Sequence, residues 1–290
     1  MISRSQVPVP VKVFGRRSRR TLGRWTSSGR MLPTFLIIGA QRCGTTSLFK
    51  ALAEHPAVVP PTFHKGVHYF DIHYPRGIDW YQGHFPTRYA GRRATAGLDV
   101  RPATGESSPY YLHHPAAPAR IAAALPDVKL IALLRDPVER AFSAYKHEVA
   151  RGFEDEPFER ALDLEPARLA GEAERLLTEP GYRSHAHQHQ AYVTRGRYAE
   201  QLHRAIDVVG RDRLLILESE EFFTDPDAVY ARLLRFLDLP AWRPSSFRRH
   251  NARPSAPMPA ELRARLETEF RPHDDALARL LGREPAWRQA

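Results

Sequence analysis

The stretch FLIIGAQRCGTTSLFKAL, residues 35–52, contains the transition on which the prediction of the fold rests. Its first four residues are typical of a buried strand, Gly39 interrupts the apolar run, and the residues after Gly44 have the pattern of a helix. Four residues separate the two glycines, which is the spacing of a phosphate-binding loop between a strand and a helix. Thr45 stands where the ATP-binding form of this loop has its lysine, and Thr46 takes the hydroxyl position. The sequence thus predicts a loop for an anion and leaves open which anion it holds.

Two further stretches place strands beside helices. VKLIALL, residues 128–134, is followed directly by RDPVERAFSAYKHE, in which apolar residues recur at helical spacing from Val138. A predicted helix from Tyr198 to Gly210 leads into the strand RLLILE. Strands that alternate with helices in this way predict an α/β fold with a central, mostly parallel sheet flanked by helices.

The remaining segments complete one predicted domain, residues 31–290. A charged stretch containing several leucines, residues 153–179, is consistent with one inserted amphipathic helix. SHAHQHQ, residues 184–190, is predicted to be a polar loop. Near the C-terminus, apolar residues at helical spacing predict a closing helical segment: Leu262, Leu266, Phe270, Leu277, Leu280 and Leu281.

The first thirty residues form a basic N-terminal arm that we expect to be solvated and mobile. They contain no acidic residue, and their basic residues are Arg4, Lys12, Arg16, Arg17, Arg19, Arg20, Arg24 and Arg30. The whole chain has 43 basic and 33 acidic residues, a formal charge of +10, which favours an anionic ligand or surface. Nucleic-acid binding by the arm is an alternative, but the core contains no recognisable nucleic-acid module, so no specific nucleic-acid partner is predicted.

Several classes of site and location are disfavoured by the composition. No apolar run reaches the length of a membrane span, and the arm lacks the apolar region of a secretory signal, so we expect a cytoplasmic protein. Cys43 is the single cysteine, which excludes an internal disulfide and a cysteine-rich metal site. Since no cysteine–histidine motif is legible, Cys43 is interpreted as a small side chain in a tight turn. His185, His187 and His189 have no acidic cluster nearby, and no metal site is predicted.

Two anion sites are expected at one edge of the sheet. In an open parallel sheet, ligands bind beyond the carboxyl ends of the strands, where loops lead into helices. The loop from Gly39 to Ser47 offers backbone N–H groups, hydroxyl groups and a helix N-terminus. Arg135 can hold a phosphate with two hydrogen bonds, and Ser143 in the following helix can add one more. Either element alone could be a simple turn or a helix cap, but their joint occurrence favours a ligand with two separated anionic groups.

These residues resemble a known family. GAQRCGTTSL and LLRDPVERAFSAYKHE are similar to the 5′-phosphosulfate loop and the 3′-phosphate motif of sulfotransferases that use 3′-phosphoadenosine 5′-phosphosulfate. HKGVHYFDIHYPRGIDWYQGHFP, residues 64–86, and GESSPYYL, residues 105–112, are similar to the heparan-sulfate-type, carbohydrate-acting branch and its bacterial relatives. The four motifs occur in the expected order, and the resemblance extends from about residue 33 to the C-terminal helices.

The resemblance implies a P-loop-NTPase-like three-layer fold, this sulfated nucleotide as co-substrate and no metal. It implies that the 5′ side of the donor is held by Arg42, Cys43, Gly44, Thr45, Thr46 and Ser47. It assigns the 3′-phosphate to Arg135 and Ser143, with Arg248 and Arg249 as further contacts in a basic loop over the nucleotide. The implied acceptor is a small molecule or saccharide, with the hydroxyl of a saccharide or glycosylated metabolite favoured.

The catalytic base departs from the family pattern. Charge on the leaving phosphate would be stabilised by Arg42 and Lys65. The carbohydrate-acting branch usually has glutamate directly after this lysine, whereas this chain has Gly66, which cannot accept a proton. The replacements considered are His68, His64 and Glu106. His68 is preferred because an imidazole titrates near neutral pH, although it could instead pack against the backbone; Glu106, in a predicted loop, could equally cap a helix or position the acceptor.

Other functions remain open at this point. A small-molecule kinase is disfavoured by Thr45 in the lysine position, and Gly66 would also fit a donor-binding relative without catalytic activity. Three aromatic residues of the second motif could stack on a sugar ring or pack in the core: Trp80, Tyr81 and Phe85. The sequence leaves the identity of the acceptor and the oligomeric state open.

Overall fold

A central sheet of four parallel strands organises the protein. The computed structural model describes residues 23–250 and 257–289. The strands lie in the order β2-β1-β3-β4. Their bounds are β1 Phe35–Gly39, β2 Gly105–Ser107, β3 Lys129–Leu134 and β4 Leu214–Glu218. The predicted α/β fold with a parallel sheet flanked by helices is confirmed.

Burial of the strands explains their apolar sequences. All five residues of β1 are buried, and in β3 every residue after Lys129 is buried. Successive side chains of a strand point to opposite faces, so both faces of the sheet are covered. The register pairs Ile37 with Ser107 on one side and with Ile131 on the other. The carboxyl ends of β1, β2 and β3 therefore lie at the same edge of the sheet.

Twelve α-helices lie entirely within the described residues, and residues 23–25 are also helical. They are α1 Thr45–Ala53, α2 Ile78–Gln82, α3 Arg88–Ala94, α4 Ala117–Ala124, α5 Pro137–Val149, α6 Phe158–Leu169, α7 Glu172–Thr178, α8 His185–His189, α9 Tyr198–Val209, α10 Ser219–Thr224, α11 Pro226–Phe236 and α12 Ala260–Leu281. A π-helical turn occupies Tyr69–His73, and short 3-10 turns occupy Ser27–Gly29, Tyr74–Arg76, Thr194–Gly196, Arg211–Arg213 and Ala286–Arg288. None of the helices in these described parts is long and apolar enough to cross a membrane.

Three local predictions were wrong. The stretch 153–179 contains two helices, α6 and α7, because the chain turns at Gly171, whose φ of 74° is left-handed. The segment predicted as a polar loop forms the short helix α8, capped by the Ser184 hydroxyl, which accepts from the N–H of His187 at 3.0 Å. Glu106 was expected in a loop but lies in β2, where it pairs with Leu36 of β1.

The N-terminal segment contacts the domain before the first strand. Residues 1–22, most of the predicted arm, lie outside the described residues. Arg30 forms an antiparallel bridge with Thr87, and the N–H of Met31 donates to the carbonyl of Pro86 at 2.9 Å. The last residues of the predicted arm therefore lie along the segment that precedes α3. The boundary at residue 30 stays a prediction.

Candidate active site

The two predicted anion sites open on one cleft of about 620 Å³ at the carboxyl edge of the sheet. The loop after β1 contributes Arg42, Cys43, Gly44, Thr45 and Thr46, and the turn and helix after β3 contribute Arg135 and Ser143. The strands are adjacent, so their terminal loops meet although about ninety residues separate them in the chain.

The conformation of Gly44 fixes the loop against α1. Its φ is 88°, a left-handed value that residues other than glycine rarely adopt. A Cβ atom at this position would also lie 3.1 Å from the ring of Phe223. Gly44 directly precedes α1, whose first N–H groups have no acceptors within the helix and whose dipole favours an anion. This end of the helix can therefore supply donors to a phosphate or sulfate group.

The Cys43 side chain is not suited to nucleophilic chemistry. It is fully buried, and burial is the largest effect that raises the pKa of its thiol, to about 12. A thiol with this pKa is almost entirely protonated at neutral pH, and the thiolate is the reactive form. The structural interpretation made from the sequence agrees with this environment.

Arg42 joins the two halves of the cleft. Its Nε–H donates to the hydroxyl oxygen of Ser143 at 3.1 Å. Arg135 is held on one side by Tyr198, whose hydroxyl donates to the Arg135 carbonyl at 2.8 Å. Its guanidinium lies 3.4 Å from a carboxylate oxygen of Glu139, and both side chains are about one-third exposed. Both guanidinium groups are thus accessible to a ligand in the cleft.

The structure separates the two arginines of the late basic loop. Arg249 lines the cleft with its guanidinium 4.4 Å from the ring centre of Phe223. Arg248 lines a neighbouring cavity of about 330 Å³, together with Ser47. The Ser47 hydroxyl accepts from the N–H of His250 at 2.9 Å, so this serine ties the loop to α1. Residues 251–256, the next part of the basic loop, lie outside the described residues.

Sequence reasoning missed several residues that line the cleft. They are Glu139, Lys146, His147, Ser219, Glu220, Phe223, Thr224 and His250. Lys146 could have been found, because it follows Ser143 by three residues and positions three apart share a helix face. Those from α10 could not, because no phosphate-binding pattern marks that segment.

A second group of predicted residues lies at the end of β2. The N–H of Ser107 donates to the carbonyl of Lys65 at 2.7 Å, and the N–H of Ser108 donates to the carbonyl of Ile37 at 3.2 Å. The segment containing Gly66 and His68 is therefore held at the end of β2, which itself pairs with β1, the strand that leads into the loop around Gly44. Lys65 and His68 are not among the residues that line the cleft.

Glu106 is a buried hydrogen-bond acceptor. Its carboxylate accepts from the hydroxyl groups of Tyr81, Tyr111 and Ser108 at 2.9, 2.7 and 2.6 Å, and from the N–H of Val67 at 2.5 Å. Burial raises the pKa of Glu106, and the bonds from Ser108, Val67 and Tyr111 oppose that rise. With no exposed surface and four donors in place, this carboxylate holds the Lys65–His68 segment in position.

His68 forms a pair with a residue that sequence reasoning missed, Asp71. Its Nδ1 lies 2.8 Å from the buried Asp71 carboxylate, while the imidazole side chain is 36% exposed. Since a carboxylate only accepts, Nδ1 carries the proton of the neutral imidazole, and Nε2 then has a free lone pair. Burial lowers the pKa of His68, but the charge of Asp71 and its hydrogen bond outweigh this and raise it above the ordinary value. The H-x-x-D spacing within the motif was the signal that could have identified the pair.

Gly66 allows the backbone of Ser107 to approach closely, beside the His68 imidazole. A Cβ atom at position 66 would lie 2.8 Å from the carbonyl oxygen of Ser107 and 3.5 Å from Nε2 of His68. His68 itself has a left-handed φ of 55°, held by its N–H donating to the Ser108 hydroxyl at 3.0 Å. Strained backbone of this kind persists only where its surroundings fix it, and it is common at functional sites.

The pKa of Lys65 lies below that of an exposed lysine. Burial is the largest effect on its pKa, which falls to about 8, against the attraction of Glu106. Its ammonium group is therefore partly desolvated, so its interaction with an anion is stronger than at an exposed site.

The family was established by comparison with known proteins. The model for the sulfotransferase domain matches residues 32–256. The chain belongs to the sulfotransferase family. A solved sulfotransferase from Alicyclobacillus acidocaldarius is 32% identical, with a TM-score of 0.67, and the match covers 89% of this chain and 99% of that one.

Curated relatives include larger sulfotransferases. A membrane-associated sulfotransferase, kil1, of Dictyostelium discoideum is 26% identical over 88% of this chain and 66% of the relative. The human bifunctional heparan sulfate N-deacetylase/N-sulfotransferase 2 is 30% identical over 88% of this chain and 31% of the relative. The match to this sulfotransferase thus spans two-thirds of the first relative and less than one-third of the second.

The other residues considered from the sequence lie apart from the cleft of this sulfotransferase. The aromatic residues Trp80, Tyr81 and Phe85 are buried in the core. His64 is exposed, with its ring centre 6.1 Å from that of His84. Among the histidines of α8, His187 is buried and stacks on His113 at 4.1 Å, whereas the Nδ1 of His189 lies 3.0 Å from Glu148. His185 packs against His189, with their ring centres 5.0 Å apart, so His187 alone of the three faces His113.

Proposed function

We propose that this sulfotransferase moves a sulfuryl group from 3′-phosphoadenosine 5′-phosphosulfate to a hydroxyl of a saccharide or glycosylated metabolite. The observation that carries the proposal is the meeting of two anion-binding elements in one cleft, the loop around Gly44 and the pair Arg135 and Ser143. A nucleotide with anionic groups on both its 3′ and 5′ positions matches such a divided site. A ligand with a single anionic end would use one element only.

In the proposed donor complex, each element has a separate role. The N-terminus of α1 and the hydroxyl groups of Thr45 and Thr46 hold the 5′-phosphosulfate. Arg135 and Ser143 hold the 3′-phosphate, and Arg249 covers the nucleotide. Ser47 acts indirectly through its bond with His250, and Arg248 has a more distant role in the neighbouring cavity. Cys43 contributes backbone only.

Cationic groups take the place of the absent loop lysine. Negative charge gathers on the leaving phosphate as the sulfuryl group departs, and fixed cations stabilise it. Arg42 lines the cleft, and Lys65 lies at the end of β2 with its ammonium partly desolvated. We assign both to the leaving phosphate. By family resemblance the reaction requires no metal.

The proposed transfer is an in-line displacement at sulfur. The acceptor oxygen forms a bond to sulfur while the bond from sulfur to the bridging phosphate oxygen breaks, and its electron pair leaves with the phosphate. Nε2 of His68 takes the acceptor proton, and Asp71 orients the imidazole and stabilises its positive charge. Glu106 is assigned to positioning this segment instead of accepting the proton. The products are a sulfate ester and 3′-phosphoadenosine 5′-phosphate.

The saccharide acceptor is supported by two observations. Sequence motifs between the donor-binding elements are similar to those of the carbohydrate-acting branch, and relatives such as the heparan sulfate N-sulfotransferases act on a polysaccharide by name. The imidazole of His68, about one-third exposed, gives an acceptor access to the base.

Calorimetric titration with 3′-phosphoadenosine 5′-phosphate, beside ATP with Mg²⁺, tests the donor. Tight binding of the bisphosphate and weak binding of ATP are expected; the reverse result would favour a kinase. Transfer is then followed with labelled donor and a panel of saccharides carrying free hydroxyl or amino groups. If product formed only on amino sugars, the acceptor group would be an amine instead of the proposed hydroxyl. Donor binding without product on the panel, and without acceptor-independent hydrolysis of the donor, would favour a binding protein that lacks catalysis.

A further inference from the structure

An exposed basic and aromatic surface lies outside the cleft. We call it the α3 patch, and its members are Arg24, Trp25, Leu32, Arg88, Tyr89, Arg92, Arg93 and Leu98. Trp25 is 81% exposed and Tyr89 is 74% exposed, which are unusual values for large aromatic side chains. They are the two most exposed of the nine exposed large apolar residues in the described part of the chain, and Leu32 and Leu98 belong to the same set.

Backbone contacts join the two segments of the patch. The bridge between Arg30 and Thr87 and the bond from Met31 to Pro86 place residues 23–32 alongside the start of α3. A Cβ atom at Gly91 would lie 2.6 Å from the sulfur of Met31, so this face of α3 is directed at the N-terminal segment. Arg88, Tyr89, Arg92 and Arg93 are exposed on the remainder of the helix.

The arginines of the patch are free to meet an external anion. Many exposed arginines of this protein pair with carboxylates, such as Arg243 with Asp227 and Arg265 with Asp163. Within residues 23–250 and 257–289, no ion pair involves Arg24 or the three arginines of α3. The chain before Gly23 contains six basic residues and no acidic residue.

We propose that the α3 patch docks this protein on the surface of a membrane that contains anionic lipids. Arginines near such a surface are attracted to its negative charge, while Trp and Tyr side chains favour the headgroup region. Exposed Leu32 and Leu98 support a membrane over a nucleic acid, because acyl chains accept aliphatic side chains and bases stack on rings. The proposal requires no spanning helix and does not depend on the proposed reaction.

Binding of the full chain to vesicles tests the proposal. Vesicles of phosphatidylcholine alone are compared with equal mixtures of phosphatidylcholine and phosphatidylglycerol, by co-sedimentation at physiological salt. We expect binding to the mixed vesicles only, with a blue shift of tryptophan emission that Trp25→Phe removes. Absence of binding by the parent protein would overturn the proposal.

Matched variants distinguish the effect of the α3 patch on vesicle binding from the effect of the net charge. The triple variant Arg88→Gln, Arg92→Gln, Arg93→Gln is expected to weaken binding to the mixed vesicles about tenfold or more. The control triple Arg160→Gln, Arg271→Gln, Arg279→Gln changes the net charge equally at exposed positions without described ion pairs, and should bind nearly as the parent does. Equal losses in both triples would refute a specific surface.

A second pair of variants tests the apolar contribution. Trp25→Ala with Tyr89→Ala leaves the charge unchanged and should weaken vesicle binding severalfold, whereas Leu177→Ala, at another exposed apolar position, should not. Titration with 3′-phosphoadenosine 5′-phosphate, or thermal unfolding if that ligand does not bind, verifies that each variant is folded. If the arginine triple lost affinity for duplex DNA or an acidic polysaccharide while its vesicle binding was unchanged, a different polyanion would replace the membrane.

Discussion

The Nε–H of Arg42 donates to the hydroxyl of Ser143 at 3.1 Å, so the loop after β1 and the helix after β3 are in direct contact. Arg42 belongs to the proposed 5′ site, and Ser143 belongs to the proposed 3′ site. A ligand that occupies both sites would meet Arg42 and Arg135 in one cleft.

Arg135→Ala should weaken binding of 3′-phosphoadenosine 5′-phosphate by roughly 10- to 100-fold, because hydrogen bonds to charged groups contribute about 1.5–3 kcal/mol. Adenosine 5′-phosphate, which lacks the 3′-phosphate, should lose much less. Calorimetry on both ligands measures the difference, with Arg160→Ala on the exposed part of α6 as the control. Equal losses for both nucleotides would contradict the assignment of Arg135.

His68→Asn should lower kcat by about 10²–10⁴-fold, the usual contribution of a positioned base, with donor affinity nearly unchanged. The base must be neutral, so in the parent enzyme kcat should rise with pH through the raised pKa of His68. Because Asp71 raises that pKa, Asp71→Asn should move this acid limb to lower pH and reduce the maximal rate. A rate unaltered by His68→Asn would remove it as the base.

Lys65 should produce an alkaline limb. Its pKa of about 8 means that the stabilising cation is lost as pH rises past this value. The rate should therefore decline above pH 8, and Lys65→Arg should move the decline to higher pH because arginine keeps its proton. Lys65→Met should lower the rate at every pH and abolish this limb. A parent profile that stays flat through pH 9 would count against the role of Lys65.

Gly66→Ala should destabilise the fold by about 1–3 kcal/mol, because the new methyl group would approach the Ser107 carbonyl and the tight site cannot absorb it without a shift. Gly66→Glu, which restores the residue typical of the carbohydrate-acting branch, should displace His68 and lower kcat instead of raising it. Thermal unfolding and turnover measure both effects. Gly29→Ala is the matched control, since a Cβ atom at Gly29 has no neighbour within 4 Å. Higher activity in Gly66→Glu would show that the base was not relocated.

Much of the fold was predictable from the sequence. The apolar runs of β1, β3 and β4 are buried on both faces, so their residues could be recognised without knowledge of their neighbours. The junctions after β1 and β3 carry their own local signals, a glycine-rich turn and an Asp-Pro helix start, in which Asp136 caps α5 through the N–H of Val138 at 2.8 Å. Parallel pairing then brings both junctions to one edge. The halves of the proposed donor site follow from local pattern and this single topological rule.

The acceptor side was less predictable. Glu106 has the residue type of a base, but only the packing of Tyr81, Tyr111 and the Val67 N–H around it reveals a buried hydrogen-bond acceptor.

The separate positions of Arg248 and Arg249 in the basic loop were also not predictable. They line different cavities, because adjacent residues in an extended chain point in different directions.

The sequence by itself determined strands β1, β3 and β4 with their adjoining helices, the glycine-rich turn after β1 and the Arg135 turn, because hydrophobic period and turn chemistry act over a few residues. The tertiary structure alone decided that His68 occupies the space beside Gly66 and that Glu106 is enclosed. It also decided that the N-terminal segment joins α3 in one exposed surface. These relationships depend on contacts between residues far apart in the chain or on the direction of a side chain in a strained turn, and periodicity carries no information about either.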